Sequence, residues 1–460
     1  MNEQTSSVPY LRTTDCSPFP PMAREQEEWL RQITALAKPA DLLLTLGSRS
    51  EDPSRDHEPI AAYDGASRVW WADRYVGELH FESRTLRIEP RFGMPCLMRW
   101  LSTIWGVRLL ETQGSYEHRR VWLWTIIAHL WASRLITAAK HGLPAKRVDE
   151  VHHGTALRGR LLARPSAITR ATGDHRLVSV TRIRAVDAAI GGILIAAFAR
   201  LRRVLEDYGD TMNWLPDRGR ILMHDLQHAL GDRVQWKPAT AHRTIRYSPI
   251  TESYRPIVEL SLSILNQRPL TTGTTGGRKV FGILLDMAEI WELYVAKLLQ
   301  LGLAGFRVVH SGRTREHFRW LFRSSVDGNV LGSLRPDIII ADHRGRLVGL
   351  ADAKYKTTAP SARNRVGIVR EDLYQIASYL SGFGDPESRL DGFLIFPEDE
   401  HGEVTNRLTA KNPWNLSSAP RRALWLLSTG AAGNVQRDSL GYDERRMAEA
   451  IRAVIQGRVP

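Results

Sequence analysis

The sequence predicts an α+β multidomain protein, in which a β-rich and helical N-terminal part precedes an α/β core with a mixed central sheet. Three observations predict this fold class. The 460 residues suffice for two or three domains of about 100–200 residues each. Residues 61–90 alternate β-branched and aromatic residues with Gly, Asp and Ser, which is typical of strands. Between residues 281 and 397 the patterns follow the order helix, strand hairpin, helix and strand, which is typical of an α/β core.

The composition excludes several classes of protein. Hydrophobic residues make up 43% and charged residues 25% of the chain, which are ordinary globular values and exclude disordered, collagen-like and coiled-coil proteins. The formal net charge is +13, which favours a polyanionic partner, nucleic acid first, although a basic protein without such a partner is the alternative. Two cysteines, Cys16 and Cys96, exclude a disulfide scaffold and a zinc site built from cysteines.

Neither a membrane anchor nor a nucleotide site is expected. The most apolar stretch, Val121 to Ala139, contains His129 and Arg134 and predicts a buried or interfacial helix. The polar N-terminus lacks a hydrophobic signal core, so we expect a cytoplasmic protein. The Thr271–Gly277 stretch (TTGTTGG) lacks the Gly-Lys-Ser/Thr of a P-loop, and no Walker motif occurs elsewhere. We therefore expect no nucleotide hydrolysis by this chain.

The patterns divide the chain into four segments. Residues 1–25 carry Ser, Thr and Pro and predict a loosely ordered arm, a helix is expected around Glu25–Ala37, and Thr271–Gly277 reads as a linker or mobile loop. The predicted segments are an N-terminal extension (1–40), a β-rich domain (41–115), a mostly helical middle region (116–270) and the α/β core (271–460).

The first chemically informative feature is Glu292, on a helix predicted over Phe281–Leu301. Its neighbours at helical spacing are apolar, namely Leu285, Ala288, Ala296 and Leu299. A carboxylate in such surroundings is costly unless it has a partner such as a cation or a metal ion. A glutamate at the edge of the apolar stripe, with its head in solvent, is the equally weighted alternative.

Next, Leu334–Asp342 and Arg346–Lys356 predict the two strands of a hairpin around a short turn that contains Gly. A two-residue loop of Arg344 and Gly345 places Asp337 directly opposite Asp352, with Cβ atoms about 5 Å apart. Lys354 is two residues beyond Asp352 and therefore shares its face.

Two adjacent carboxylates repel each other unless a cation lies between them. Carboxylate oxygens with open water positions suit Mg²⁺ or Mn²⁺. Glu292, Asp337 and Asp352 are the candidate ligands. Such a metal ion lowers the pKa of a bound water, which Lys354 can position or activate, so the predicted chemistry is hydrolysis of a phosphodiester. Taken singly, each aspartate could instead be a turn or cap residue, and Lys354 a solvated edge residue.

A second helix, predicted over Glu371–Ser381, carries Gln375 and Tyr379 on one face. These side chains could contact a DNA backbone or the water shell of the metal ion. An amphipathic helix with an ordinary tyrosine is an equally good explanation of the pair alone.

Together, Pro336-Asp337, Asp352-Ala353-Lys354 and the preceding Glu292 resemble the PD-(D/E)XK nuclease superfamily. Gln375-x-x-x-Tyr379 looks like the extra motif of its RecB-like branch. The stretches WELYVAKLL, LRPDIII, ADAKYK, EDLYQIASYL and FLIFP narrow the resemblance to McrC-like nuclease subunits of McrBC 5-methylcytosine restriction systems, over about residues 75–400.

The resemblance implies a restriction-endonuclease-like core and a DNA endonuclease that needs Mg²⁺ and acts in phage defence. It also implies a hetero-oligomer with an AAA+ GTPase, McrB, which recognises modified DNA and whose GTPase the N-terminal half stimulates. Catalytic roles then fall to Glu292, Asp337, Asp352 and Lys354, with Gln375 and Tyr379 in support. Two alternatives stay open: a stand-alone repair or defence nuclease, and a non-catalytic adaptor of a motor protein.

Overall fold

The structure is a computed structural model. It describes residues 10–37, 59–82, 84–105, 121–206, 214–231, 245, 247–265, 271–275, 278–311, 319–356, 368–385, 387–397, 411–430 and 441–458. The chain forms two compact units, Met1–Thr112 with Leu270–Pro460, and Gln113–Pro269. No helix in the described part of the chain is long and apolar enough to cross a membrane.

The helices of the described residues are α1 (Arg24–Leu36), α2 (Gly93–Trp105), α3 (Val121–Ala138), α4 (Ala163–Ala171), α5 (Ala188–Glu206), α6 (Asp217–Leu230), α7 (Arg255–Leu265), α8 (Met287–Gly302), α9 (Arg370–Gly382) and α10 (Tyr442–Ile455). The strands are β1 (Tyr10–Thr14), β2 (Ala61–Asp64), β3 (Val69–Ala72), β4 (Tyr75–Phe81), β5 (Arg84–Glu89), β6 (Ala145–Gly154), β7 (Arg160–Leu161), β8 (Leu177–Val186), β9 (Thr271–Thr275), β10 (Arg278–Asp286), β11 (Arg307–His310), β12 (Arg319–Arg323), β13 (Val330–Leu334), β14 (Ile338–Ala341), β15 (Leu347–Ala353), β16 (Leu390–Pro397), β17 (Trp414–Leu416) and β18 (Ala419–Thr429).

The first unit contains a five-stranded sheet of order β1-β5-β4-β10-β9. Strand β1 pairs parallel to β5 and buries Leu11, so the prediction of a loosely ordered arm is wrong from residue 10 onward, and residues 1–9 lie outside the described residues. Strand β9 pairs antiparallel to β10, so the predicted linker Thr271–Gly277 is wrong over its first five residues. The β-branched threonines of this stretch suit an extended strand.

The same sheet explains why the two units differ from the four predicted segments. Strand β10, at the start of the predicted core segment 271–460, pairs with β4 of the predicted domain 41–115 over seven residues on each strand, from Val280↔Phe81 to Asp286↔Tyr75. The N-terminal strands therefore belong to one compact unit with the C-terminal half of the chain, whereas the sequence patterns had separated them.

The helix predicted over Phe281–Leu301 begins six residues later than expected. Residues 281–286 extend β10, and Asp286 caps α8 because its side chain accepts hydrogen bonds from the N–H groups of Ala288 and Glu289. Arg74 also pairs with Asp286, at 3.0 Å. An apolar run such as FGILL fits a buried strand as well as a helix, so periodicity alone could not find this boundary.

The first unit also contains a six-stranded sheet of order β11-β14-β15-β16-β18-β17. The pairs β14–β15 and β11–β14 are antiparallel, whereas β15–β16 and β16–β18 are parallel. The prediction of a mixed central sheet is thereby confirmed. Helix α9, predicted over Glu371–Ser381, packs on this sheet through a shared apolar cluster that includes Ile376, Leu380, Leu350, Leu394 and Leu426.

The second unit combines α3 to α7 with a three-stranded sheet of order β6-β8-β7. Helix α3 covers the stretch predicted as a buried or interfacial helix, and residues 126–132 are buried. The expectation of mostly helical structure missed β6, which pairs with β8 along its whole length.

Candidate active site

The predicted site residues gather where β15 and β16 end. The register of these parallel strands pairs Asp352 with Leu394, and the N–H group of Lys354 donates to the carbonyl of Ile395 at 2.9 Å. The indole N–H of Trp291 on α8 donates to the same carbonyl, at 3.2 Å. Ligands commonly bind at the carboxyl ends of parallel strands in open sheets.

The hairpin brings Asp337 beside β15, as predicted, but through a different loop. The loop is the three residues His343 to Gly345, with Gly345 at φ 78° in the left-handed region and its N–H group donating to Asp342. A bulge on β15 then shifts the register by one residue, between Ala341↔Leu347 and Ile340↔Gly349. The loop is one residue longer than predicted, which shifts the register of the two strands by one residue, and the bulge shifts the register back.

Because of this offset, the register beyond the bulge is the predicted one. It ends in Ile338↔Ala351, and the next residues outward are Asp337 and Asp352. The Asp337 carboxylate accepts a hydrogen bond from the N–H group of Ala353 at 2.8 Å. Asp337 therefore fixes the end of β15, which carries Asp352 and is directly followed by Lys354.

Asp352 is only 1% exposed and forms an ion pair with the ammonium of Lys354. Apart from this lysine, neither carboxylate oxygen of Asp352 has a hydrogen-bond partner among the described residues. Burial raises the pKa of Asp352, Lys354 lowers it, and the negative charges of Glu292 and Asp372 raise it further. A buried carboxylate with so few partners is uncommon outside functional sites.

Lys354 lies in an acidic environment. Its ammonium donates to the Gln375 amide oxygen at 2.7 Å and is 3.5 Å from a carboxylate oxygen of Asp372. Burial alone would lower the pKa of Lys354, but the charges of Asp352, Asp337 and Asp372 outweigh this effect and raise that pKa. Lys354 is therefore held as a cation at neutral pH.

The helix residues predicted to support the site form a chain of hydrogen bonds. The Gln375 amide donates to the Tyr379 hydroxyl at 2.7 Å, and this hydroxyl donates to the carbonyl of Arg335 at 2.8 Å. Arg335 is two residues before Asp337, so helix α9 links Lys354 to the backbone next to the other aspartate.

Glu292 is buried on α8, 8% exposed, and its carboxylate is 2.7 Å from the Nε2 atom of His310. His310 ends β11 and pairs with Ile338, the residue after Asp337. The effect of Glu292 on the pKa of Asp352 places it in the same acidic environment. The structure therefore brings together Glu292, Asp337, Asp352, Lys354, Gln375 and Tyr379.

Three residues of the site escaped the sequence analysis, namely His310, Lys356 and Asp372. Asp372 is 3% exposed and accepts hydrogen bonds from the Lys356 ammonium at 2.9 and 3.1 Å. A signal for Asp372 existed, because it is three residues before Gln375 and therefore on the same helical face. His310 gave no such signal, since only the pairing of β11 with β14 brings it to Glu292.

The donor atoms at this site suit a hard divalent cation, but they are not arranged as a ready three-ligand centre. Among the residues that the structure describes, no three His, Cys, Asp or Glu side chains form a group able to hold a metal ion. Glu292 is paired with His310, and the Lys354 ammonium lies against Asp352. The oxygens of Asp352, which lack other partners, fit a cation in their chemistry. The predicted ligand set stays a prediction.

Comparison with known proteins identifies relatives. A family model described as McrBC 5-methylcytosine restriction system component matches residues 71–397. No curated protein matches the chain.

The solved structures that match the chain include two assemblies from Thermococcus gammatolerans. One, described as a refined half-complex from a tetradecameric assembly of Thermococcus gammatolerans McrB AAA+ hexamers with bound McrC, matches with a TM-score of 0.52 at 14% identity, over 97% of this chain and 100% of that one. The other, the T. gammatolerans McrBC complex, matches with a TM-score of 0.31 at 16% identity, over 65% of this chain and 89% of that one. The first likeness supports a shared fold.

Proposed function

The chain belongs to the family of McrBC 5-methylcytosine restriction system components, and we propose that it is the subunit that cleaves DNA. In this proposal it is a Mg²⁺- or Mn²⁺-dependent endonuclease with a PD-(D/E)XK core. It hydrolyses phosphodiester bonds of modified DNA when it is assembled with an AAA+ GTPase partner, whose GTPase it stimulates.

One observation carries the proposal. Asp352 is almost fully buried, has no hydrogen-bond partner besides Lys354 among the described residues, and has a raised pKa. Burying a carboxylate in this way opposes folding, so the arrangement needs a functional reason. A site that receives a divalent cation supplies one, because the cation would compensate the negative charge of the Asp352 carboxylate on binding.

The residues divide the chemistry between them. Asp337 and Asp352 would hold the metal ion, with Glu292 as the third carboxylate. When bound, this ion lowers the pKa of a water and balances negative charge on the phosphate. Lys354, held as a cation, orients that water and stabilises charge that develops on the phosphate oxygens. Gln375 positions the Lys354 ammonium through the 2.7 Å hydrogen bond, and Tyr379 positions Gln375 in turn.

The partner assignment has separate support. The matched assembly from T. gammatolerans contains McrB AAA+ hexamers with bound McrC, and the present chain has no Walker motif of its own. We propose that this chain likewise binds an AAA+ GTPase, which supplies nucleotide hydrolysis and recognition of the modified base. The net charge of +13 is compatible with DNA as the shared substrate.

The test compares the double variant Asp352→Ala/Lys354→Ala with the wild-type chain, each mixed with a McrB-type partner, GTP, Mg²⁺ and plasmid DNA that carries 5-methylcytosine. We expect no cleavage by the double variant, while its thermal unfolding, binding to the partner and stimulation of the partner's GTPase persist. A double variant that still cuts the plasmid contradicts the assignment of the site. Cutting of unmodified DNA by the wild-type chain without a partner would instead support a stand-alone nuclease.

A further inference from the structure

Asp372 occupies an unusual place for a carboxylate. It lies in the first turn of α9 and is 3% exposed, yet it contacts the ammonium groups of two lysines that follow β15. The Lys356 ammonium donates to both of its oxygens, at 2.9 and 3.1 Å, and the Lys354 ammonium is 3.5 Å from one of them. One buried carboxylate therefore contacts two lysine side chains.

The contacts of Lys354 show what Asp372 adds. An ammonium group has three N–H donors, and among the described residues the Lys354 ammonium contacts Asp352, Gln375 and Asp372. Asp352 is on β15 and Lys354 directly follows that strand, whereas Gln375 and Asp372 come from one face of α9. Helix α9 thus contributes two of these contacts with the Lys354 ammonium, one from a neutral amide and one from a charged carboxylate.

We propose that Asp372 is a positioning residue, which holds the Lys354 ammonium against Asp352, and that Lys356 is the second cation that compensates its buried charge. The effect on cleavage rests on the function proposed above, but the placement of Lys354 does not. Lys356 suits the role of compensating cation because its side chain is 47% exposed, so it can approach Asp372 from the solvent side. In this assignment Asp372 affects the reaction through Lys354, whose ammonium it contacts.

The first experiment measures the placement itself and does not need activity. The full chain, wild type or Asp372→Asn, is treated briefly with an amine-acylating reagent, and modification of each lysine is followed by mass spectrometry. We expect the modification rate of Lys354 to rise roughly tenfold in Asp372→Asn, because the lysine loses a charge-assisted contact. The rate at the exposed Lys411 serves as the internal reference and should not change.

Glu371→Gln is the matched control. It removes a carboxylate from the neighbouring residue of the same helical turn, which is exposed, and should leave the labelling of Lys354 as it is in the wild type. If Asp372→Asn fails to fold, Asp372→Glu keeps the charge but displaces the carboxylate by one methylene, and we expect intermediate labelling. Lys354 labelling that is equal in all folded variants would overturn the proposal.

The second experiment uses the assembled system with its AAA+ partner and modified DNA. We expect Asp372→Asn to lower kcat roughly tenfold with an unchanged KM for DNA, and Asp372→Glu to recover part of the loss. In a Lys354→Gln background, the further change Asp372→Asn should cost nothing, because the two residues act through one contact. An additive loss there would overturn the positioning role. If neither Asp352→Ala nor Asp372→Asn alters cleavage, the proposed function fails while the labelling result still stands.

Discussion

Two buried aspartates on the neighbouring strands β15 and β16 have opposite environments. Asp352 and Asp391 are each 1% exposed, and the strands that carry them pair in parallel. Asp391 accepts hydrogen bonds from the Arg389 guanidinium at 2.9 and 3.2 Å and from the Trp425 indole at 3.0 Å. Asp352 has only Lys354 among the described residues.

The difference separates a structural carboxylate from a functional one. At Asp391 the cost of removing a charge from water is compensated by three hydrogen bonds from the protein. At Asp352 burial is as deep, but compensation is incomplete, and burial raises the pKa of that carboxyl above its usual value. Equal burial therefore does not mean an equal role. Incomplete pairing of a buried charge marks the place where a ligand is expected.

The largest expected effect separates the two aspartates by activity. Asp352→Asn should lower the rate of DNA cleavage by at least roughly a thousandfold, as expected for a residue of the reaction centre. Asp391→Asn should cleave at a rate within a few-fold of the wild type at a temperature where it is folded. Cleavage of modified plasmid by the assembled complex measures both. Equal losses of activity in the two variants would remove the distinction between the two aspartates.

For stability we expect the opposite order, in which a substitution of Asp391 has a larger effect than a substitution of Asp352. Asp391→Ala leaves the buried Trp425 indole without its acceptor and should lower the free energy of unfolding by roughly 1–3 kcal/mol. Urea unfolding followed by circular dichroism measures this as a lower midpoint at an unchanged slope. Asp352→Asn is the comparison and should unfold at a midpoint close to that of the wild type. A midpoint for Asp352→Asn as low as that of Asp391→Ala would mean that Asp352 is structural.

The hairpin illustrates how much of this site the sequence could predict. Alternation and the Gly-containing turn were enough to place Asp337 beside the strand of Asp352, because one face of each strand is fixed by its apolar residues. The loop length was wrong, and the bulge near Val348 could not be foreseen, since a bulge depends on how β15 meets its neighbours. The predicted pairing of Asp337 with Asp352 is nevertheless found, because the longer loop and the bulge shift the register by one residue in opposite directions.

Other parts of the site depend on contacts between elements that the sequence does not connect. The partner of Glu292 is His310, which only the pairing of β11 with β14 brings into place. The start of α8 was placed six residues early because the apolar residues FGILL at the end of β10 lie only one residue before the helix. The strand character of β10 comes from pairing with β4, about 200 residues earlier in the chain, which no local pattern records.

A third buried side chain, His129, tests whether burial alone shifts a pKa. Burial of His129 on α3 lowers its pKa to about 4 from 6.5. A folded pKa below the unfolded value means that the native state keeps this imidazole neutral. Its contribution to stability is therefore complete above pH 6.5 and is lost as the pH falls towards 4.

Between pH 7.5 and pH 5 we expect the wild type to lose about 2 kcal/mol of unfolding free energy through His129. His129→Gln cannot titrate and should lose that much less over the same interval. Urea unfolding of both proteins at the two pH values measures the difference. Parallel pH dependence in the two proteins would show that burial of this side chain does not set its protonation.

The smallest effect is expected where a strong pKa shift occurs without burial. The hydrogen bond from the Arg176 side chain lowers the pKa of Asp174 to about 2, but the Arg176 side chain is 59% exposed and water screens the pair. Asp174→Asn should therefore change the Tm at pH 7 by less than about 1 °C, in low salt and in high salt alike. A fall of about 5 °C would mean that the geometry of an ion pair affects stability more than its burial does. The difference between Asp352 and Asp391 would then have to be explained by the geometry of their hydrogen bonds.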